Sequence, residues 1–287
     1  MRYLDRRTIK RSARDLMREK GGGVLAVSFV YLLLTDVLTT VFNLVLTNPL
    51  TLLQNQWSQS FESVARPWLE AGNSSAELDL TPAYAATLTY ARQNLINPKQ
   101  EILLFVFLLL FLYTVVMSYG YSHWALRRVR GERPGCGSIF DSFWMAGKFI
   151  LLELLTMILV GMGLAFFLLP GLYFLYSLRM ARYILLDNPD LSVFRAMRLS
   201  RQMSRGFKRQ IFTLDLSFLG WIILSFAAVN LGYSAGANLH PMVGSLFAEI
   251  NFLIFQLYLT PCRELSLAGY YEAMRLSRSG ESQNVSL

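Results

Sequence analysis

The chain has 287 residues, a net charge of +8, 54% apolar residues and only 16% charged ones. Soluble domains carry about 25% charged residues, and here the apolar residues gather in long runs, so an ordinary water-soluble globular protein is excluded. Such a positive balance would suggest nucleic acid in a soluble chain. Its placement between apolar runs points instead to the anionic cytoplasmic face of a membrane, and no nucleic-acid partner is implied.

Residues 1–21 form a basic arm with Arg2, Arg6, Arg7, Lys10, Arg11, Arg14, Arg18 and Lys20. Ile9, Ala13, Leu16 and Met17 share one face of a helix drawn over it, as in an amphipathic interfacial helix. The arm is too basic, and the apolar run after it too long, for a cleaved signal peptide.

Residues 22–287 read as a single all-α membrane domain with about six transmembrane helices, at about 24–46, 102–126, 149–169, 172–186, 211–231 and 242–259. A roughly 30 Å hydrocarbon core takes about 20 helical residues. The run from Phe149 to Leu186 is about twice that, so it reads as two antiparallel helices turning at Leu169-Pro170-Gly171, the second of them short for a full crossing.

Between the first two spans lies an outer loop, 48–101, with Trp57, Phe61, Trp68 and Leu69 and a polar stretch containing the sequon Asn73-Ser74-Ser75. One or two short surface helices are expected there. Basic segments follow at 127–148, with Arg127, Arg128, Arg130, Arg133 and Lys148, and at 188–210, with Arg195, Arg198, Arg201, Arg205, Lys208 and Arg209; a tail occupies 263–287. The opposite side holds only Arg66, Arg92 and Lys99. The positive-inside rule therefore places both termini in the cytoplasm of a bacterium, with the chain multi-pass in the inner membrane.

In the segment 188–210, Val193, Phe194, Met197, Met203 and Phe207 follow helical spacing, and Arg195, Arg198, Arg201 and Arg205 form a stripe suited to anionic lipid. Ile139-Phe140-Asp141-Ser142-Phe143-Trp144 is expected at the same interface.

Charges inside the apolar runs are the candidate site. A guanidinium at the bilayer centre costs about 2.5–3.5 kcal/mol on the insertion scale, so Arg179 and Arg182 in the fourth span need partners. Glu153, Arg182 and Asp215 fall in one leaflet, Arg179 one turn deeper, and Glu249 approaches from the outer half of the sixth span; Asp36 lies in the outer half of the first. Expected pairs are Arg182 with Glu153 or Asp215, and Arg179 with Glu249. They either lock the helices together or line a cytoplasm-facing cavity for an anionic headgroup or proton relay, with Tyr173, Tyr176 and Tyr183 nearby.

No catalytic motif is present: neither a His-Glu-x-x-His, a Gly-x-Ser-x-Gly, a P-loop nor a dinucleotide fingerprint occurs. His123 and His240 fall on opposite sides of the membrane, and Cys136 and Cys262 fall where thiols stay reduced, so no metal, disulfide or cofactor is implied. Gly161 and Gly163 suit close helix packing, and so does Gly220 in Ser217-Phe218-Leu219-Gly220-Trp221.

Leu169-Pro170-Gly171, Tyr183-Ile184-Leu185-Leu186-Asp187-Asn188-Pro189, Ser200 to Met203 with Gly206, and Leu214-Asp215-Leu216-Ser217-Phe218-Leu219-Gly220-Trp221 occur in order. With Ile9-Lys10, Gly120, Gly131, Phe140, Phe143, Pro261 and Tyr270-Tyr271, they make the chain resemble the bacterial integral-membrane family known as domain of unknown function 975. The resemblance implies a polytopic bundle and supplies no substrate, reaction or cofactor. Arg179 and Arg182 are expected to depart from the family's pattern.

The first expectation is a non-catalytic inner-membrane protein: an assembly, envelope or regulatory factor acting through helix packing and a basic lipid-facing surface. The alternative is a small transporter or lipid-handling protein with a charged cavity around Arg179, Arg182, Glu153, Asp215 and Glu249. Partners are the bilayer, anionic lipids, and a second copy or another membrane protein.

Overall fold

In the computed structural model, residues 6–19, 23–45, 49–70, 79–92 and 98–284 are described. They are all-α and contain no strand. In chain order the helices are α1 Arg6–Arg18, α2 Val24–Leu32, α3 Leu38–Val45, α4 Pro49–Glu70, α5 Thr81–Tyr90, α6 Pro98–Val129, α7 Ala146–Phe166, α8 Leu168–Leu178, α9 Ala181–Asp187, α10 Val193–Met203, α11 Lys208–Ala237 and α12 Pro241–Asn284. Among the described residues, five helical segments are long and apolar enough to cross a membrane: Val24–Phe42, Glu101–Val129, Cys136–Phe166, Lys208–Ala237 and Val243–Ser277.

The fourth expected span is absent from that set because it is broken. Helix α8 ends at Leu178, Arg179 and Met180 form a turn, and α9 runs only seven residues. The reversal before it also differs from expectation. Phe167 alone is extended, with φ −160° and ψ 152°, so the chain turns there, and Pro170 and Gly171 lie in the first turn of α8. Proline is tolerated at that point because the first N–H groups of a helix have no intrahelical acceptor. Gly171 instead serves the crossing: a Cβ on Gly163 would come within 2.8 Å of its Cα.

The chain divides into two compact units, Met1–Leu34 with Val115–Leu287, and Thr35–Thr114. Helix α1 of the basic arm falls in the larger unit. In the smaller unit Asp36 sits in the π-helical turn Leu33–Val37, and α4 packs on α5. Two helices thus occupy the segment where one or two short ones were expected, and α4 is long, at 22 residues. The sequon at Asn73 lies outside the described residues.

The larger unit is built on two helical hairpins, α7–α8 and α11–α12. Both cross at glycine. In the second, a Cβ on Gly236 would meet Gly244 at 2.8 Å and one on Gly232 would meet the Asn251 side chain at 2.6 Å. Close approach of backbones at small residues is the usual basis of helix association in lipid. Gly220, expected to serve the same purpose, faces open space.

Helix α6 ends in a Schellman arrangement. Glu132 N donates to Arg127 O and Gly131 N to Arg128 O, with Gly131 at φ +90°, a conformation that favours glycine. The loop that follows is pinned to α6 by Trp124 Nε1, which donates to Pro134 O at 3.1 Å. Its 3-10 turn Cys136–Ile139 lies on Gly120, where a Cβ would come within 2.0 Å of Ile139 O. Ile139 is fully buried, whereas Phe140 and Trp144 of the expected interfacial stretch are exposed.

The amphipathic helices form as their spacing predicts, with one correction on α10. Val193, Met197 and Met203 are buried while Phe194 is exposed, because it shares the outer face with Arg195 and Arg198. The N-terminal cap of α10 is Ser192, whose Oγ accepts from Arg195 N at 3.4 Å.

Candidate functional site

The break between α8 and α9 creates the site. If the helix continued, Ser177 O would accept from Ala181 N; instead it accepts from Ser200 Oγ of α10 at 2.8 Å, a buried bond. The Ser200–Met203 element thus fastens α10 to the break. Arg179 lies in the turn itself and Arg182 one turn further along α9.

Both arginines meet carboxylates. Arg182 Nη2 is 3.6 Å from Glu153 Oε2, and Arg179 Nη2 is 3.9 Å from Asp215 Oδ1. Arg263 Nε of α12 approaches the same Asp215 oxygen at 3.5 Å. That oxygen is buried and makes no hydrogen bond. Tyr119 OH donates to Glu153 at 2.9 Å, and its ring lies 4.4 Å beneath the Arg182 guanidinium. Arg182 Nη1 donates to Ser122 Oγ at 3.2 Å; Ser122 Oγ and Tyr183 OH both donate to Glu264, at 2.5 and 2.8 Å. Three arginines and three carboxylates therefore balance at one level of the bundle.

Four of the five residues singled out from sequence are brought together: Glu153, Arg179, Arg182 and Asp215. Glu249 is not. It lies 14 residues before Arg263 on α12, about 21 Å along the axis, so the expected Arg179–Glu249 pair is replaced by Arg179–Asp215. Arg263, Glu264, Tyr119 and Ser122 join them without having been singled out. The expected sixth span ends at Leu259, before Pro261, but α12 continues through that proline to Asn284.

Two cavities meet at this cluster. One of about 240 Å³ is lined by Glu153, Arg179, Arg182, Arg263 and Glu264 with Tyr119 and Tyr183. The other, about 480 Å³, shares Arg182, Arg263 and Glu264 with it and is otherwise mostly apolar. Its wall on α12 extends from Arg263 to Phe252 and on α11 from Phe218 to Val229, each 11 residues or about 17 Å. It is charged at one end and mostly apolar along the rest, with Ile222, Phe226 and Leu259 on its sides among the polar Ser225, Gln256 and Thr260.

The basic residues in the last turn of α6 and in the loop after it are engaged rather than bare. Arg128, 1% exposed, holds Glu19 at 2.5 Å, and Arg133 holds the other oxygen of Glu19 at 2.7 Å. The hydrogen bond from Arg133 and the charge of Arg128 keep the Glu19 carboxyl below its usual range. Arg130 bridges Asp187 at 2.7 Å and Glu272 at 2.9 Å, and Tyr271 OH donates to Asp187 at 2.8 Å. Burial pushes the Asp187 carboxyl up, but the hydrogen bonds from Arg130 and Tyr271 and the Arg130 charge outweigh it and hold it low. By contrast, Arg195, Arg198, Arg201 and Arg205 are exposed on α10 and just beyond it, and among the described residues none forms an ion pair. Arg201 lies 5.5 Å over the Phe174 ring.

Fold and cluster together define an all-α membrane protein of several apolar helices with a balanced group of partly exposed charges gathered around a cavity. The chain belongs to the family described as Protein of unknown function (DUF975), which matches residues 1–278. No curated protein and no solved structure matches it.

Proposed function

We propose that the protein is a non-catalytic, lipid-handling protein of a bacterial inner membrane, binding an amphiphile from the cytoplasmic leaflet. The 480 Å³ cavity carries this reading, because its charged end and its mostly apolar remainder, together about 17 Å long, fit a polar head and the first part of an alkyl chain. Arg182 and Arg263 would hold an anionic head, and Phe226, Val229 and Phe252 the chain.

The proposed orientation keeps both termini cytoplasmic. The segments at Val24–Phe42, α6, α11 and α12 cross, while the α7–α8 hairpin enters and returns on one side. Every basic segment then shares that side, as the positive-inside rule requires. The hairpin is also short. Counted from the charge cluster, α11 runs 22 residues outward to Ala237 and α12 22 residues back to Pro241, about 33 Å each. From the same level, α7 runs only 13 residues to Phe166, about 20 Å, and α8 11 residues, about 17 Å. A tip with Phe166, Phe167, Leu168 and Leu169 each at least 67% exposed suits the bilayer interior better than the outer water.

Crosslinking by a diazirine-bearing acyl lipid tests the binding reading. Label should appear on α11 and α12 and fall sharply in Val229→Trp, which fills the apolar end. Undiminished labelling in a folded Val229→Trp protein would refute it. An assembly or regulatory role remains the second reading, favoured by the exposed arginine stripe of α10, which offers a face to anionic lipid or to a membrane-protein partner.

A further inference from the structure

A separate cavity of about 310 Å³ lies between α1 and the α11–α12 hairpin. Arg7, Lys10, Arg11 and Arg14 line one wall; their spacing i, i+3, i+4, i+7 makes them a single helical stripe. Opposite stand Phe218 and Trp221 of α11 and Tyr258 of α12. Among the described residues, no carboxylate lines the cavity. The acids of the arm, Asp15 of α1 and Glu19 just after it, border a different groove with Ala13 and Leu265.

We propose that this cavity is a binding site for a phosphate group, supplied by the headgroup of an anionic phospholipid. The site goes beyond the amphiphile cavity and does not rest on it. An interfacial helix ordinarily turns its cations outward to the lipid surface. Here the apolar side of α1 is docked, with Ala13 2% exposed and Ile9 within 3.3 Å of the position a Cβ on Gly269 would take. The basic stripe consequently rims a recess, with Arg7, Arg11 and Arg14 exposed at its mouth and Lys10 half-buried within it.

Like charges three and four residues apart destabilise a helix, and an anion seated between them reverses that effect. One cation is already set in place: Lys10 Nζ donates to Ser217 Oγ at 2.9 Å and lies 4.1 Å over the Phe218 ring. Trp221 and Tyr258, 5.9 Å apart and both exposed by more than a third, are the residue types that settle at headgroup depth. Beyond them α11 presents Ile223 and Leu224, 60% and 51% exposed and outside the amphiphile cavity, as a surface along which acyl chains can lie. A free phosphate would have the cations but no use for that surface.

The experiment is native mass spectrometry and thermal unfolding of the full chain, with phosphatidylglycerol, with phosphatidylcholine, or with inorganic phosphate alone. Phosphatidylglycerol should bind and raise the unfolding midpoint. Its affinity should fall about fivefold for each cation replaced, the worth of one basic residue near an anionic surface. Arg7→Gln with Arg11→Gln should therefore lose about 25-fold while leaving the Lys10–Ser217 bond intact, and folding can be checked on that milder pair.

Arg209→Gln, an exposed cation placed in neither site, should leave this binding unchanged, and the loss on Arg7→Gln with Arg11→Gln should be the same in an Arg182→Gln background, which separates failure here from failure there. Inorganic phosphate binding with the same α1 dependence would keep the phosphate chemistry and overturn the lipid source. No preference for phosphatidylglycerol over phosphatidylcholine together with no phosphate effect, or binding that survives the α1 substitutions, would overturn the proposal.

Discussion

The depth of the α7–α8 tip is the most direct test of how the bundle sits in the bilayer. The perturbation is Leu168→Cys, spin-labelled in a background with Cys136→Ser and Cys262→Ser, so that the exposed and the buried native thiols do not compete. Leu168 is 67% exposed, so a label there replaces little packing. Measured from the charge cluster, it lies about 17 Å along α8. A label at Leu239 in the α11–α12 turn, 79% exposed, lies at about 33 Å, just past the full thickness of a roughly 30 Å core. Collision rates with oxygen, enriched in lipid, and with a water-soluble nickel chelate, measured in nanodiscs, convert to depth. The Leu168 label should read near the bilayer centre with almost no nickel contact, and the Leu239 label should read at the outer interface. Equal depths for the two, or reaction of Leu168→Cys with an impermeant thiol reagent added outside intact cells, would refute the partial insertion.

Ser200→Ala should leave the buried Ser177 carbonyl without its donor at the α8–α9 break and cost about 1–3 kcal/mol, read as a lowered midpoint in detergent unfolding. Gly120→Ala should cost at least about 1–3 kcal/mol, because its Cβ would lie 2.0 Å from a backbone oxygen that the Trp124–Pro134 bond prevents from moving away; tryptophan fluorescence during denaturation reports it. Acid should weaken the fold through Asp187 and Glu19. Both carboxyls are held low in the folded state, so their stabilisation is complete above the ordinary carboxylate value of about 4 and is lost as pH falls through their depressed values. The unfolding midpoint should be level from about pH 7 to 5 and fall below about 4, and Asp187→Asn should flatten part of that fall.

The apolar helices are legible in the sequence because a run of about 20 apolar residues cannot be buried by a soluble domain of this size, and α10 is legible because its 3.6-residue spacing is regular. The turn at Phe167 is not, because Pro170 and Gly171 signal a reversal as strongly as they permit a helix start, and only the Gly163–Gly171 contact distinguishes the two. Arg263 and Glu264 escape notice when Pro261 is read as the end of a span. The signal that α12 continues is nevertheless present: Leu265, Ala268, Tyr271 and Met274, all at most 3% exposed, recur at three-residue intervals past that proline. The break at Arg179 carries no comparable mark, since neither glycine nor proline occupies it, and its carbonyl partner Ser200 is 23 residues away.

The position of the break also changes what the arginines cost. Placed in the middle of an unbroken fourth span, Arg179 and Arg182 would each carry an insertion penalty of about 2.5–3.5 kcal/mol. Measured against α11 and α12, they lie instead at the level where those helices have about 33 Å still to run, which in the proposed orientation is the cytoplasmic boundary of the core. There the penalty falls and water can reach the heads, so tight pairing is unnecessary. The distances agree with this: the three ion pairs of the cluster are 3.5–3.9 Å long, whereas Arg128 in the last turn of α6 and Arg130 just after it hold carboxylates at 2.5–2.9 Å. A cluster built only to lock helices would gain from short, bidentate contacts. Long gaps beside a cavity leave each guanidinium with donors to offer an incoming anionic group, at the mouth of a chamber whose far end is apolar.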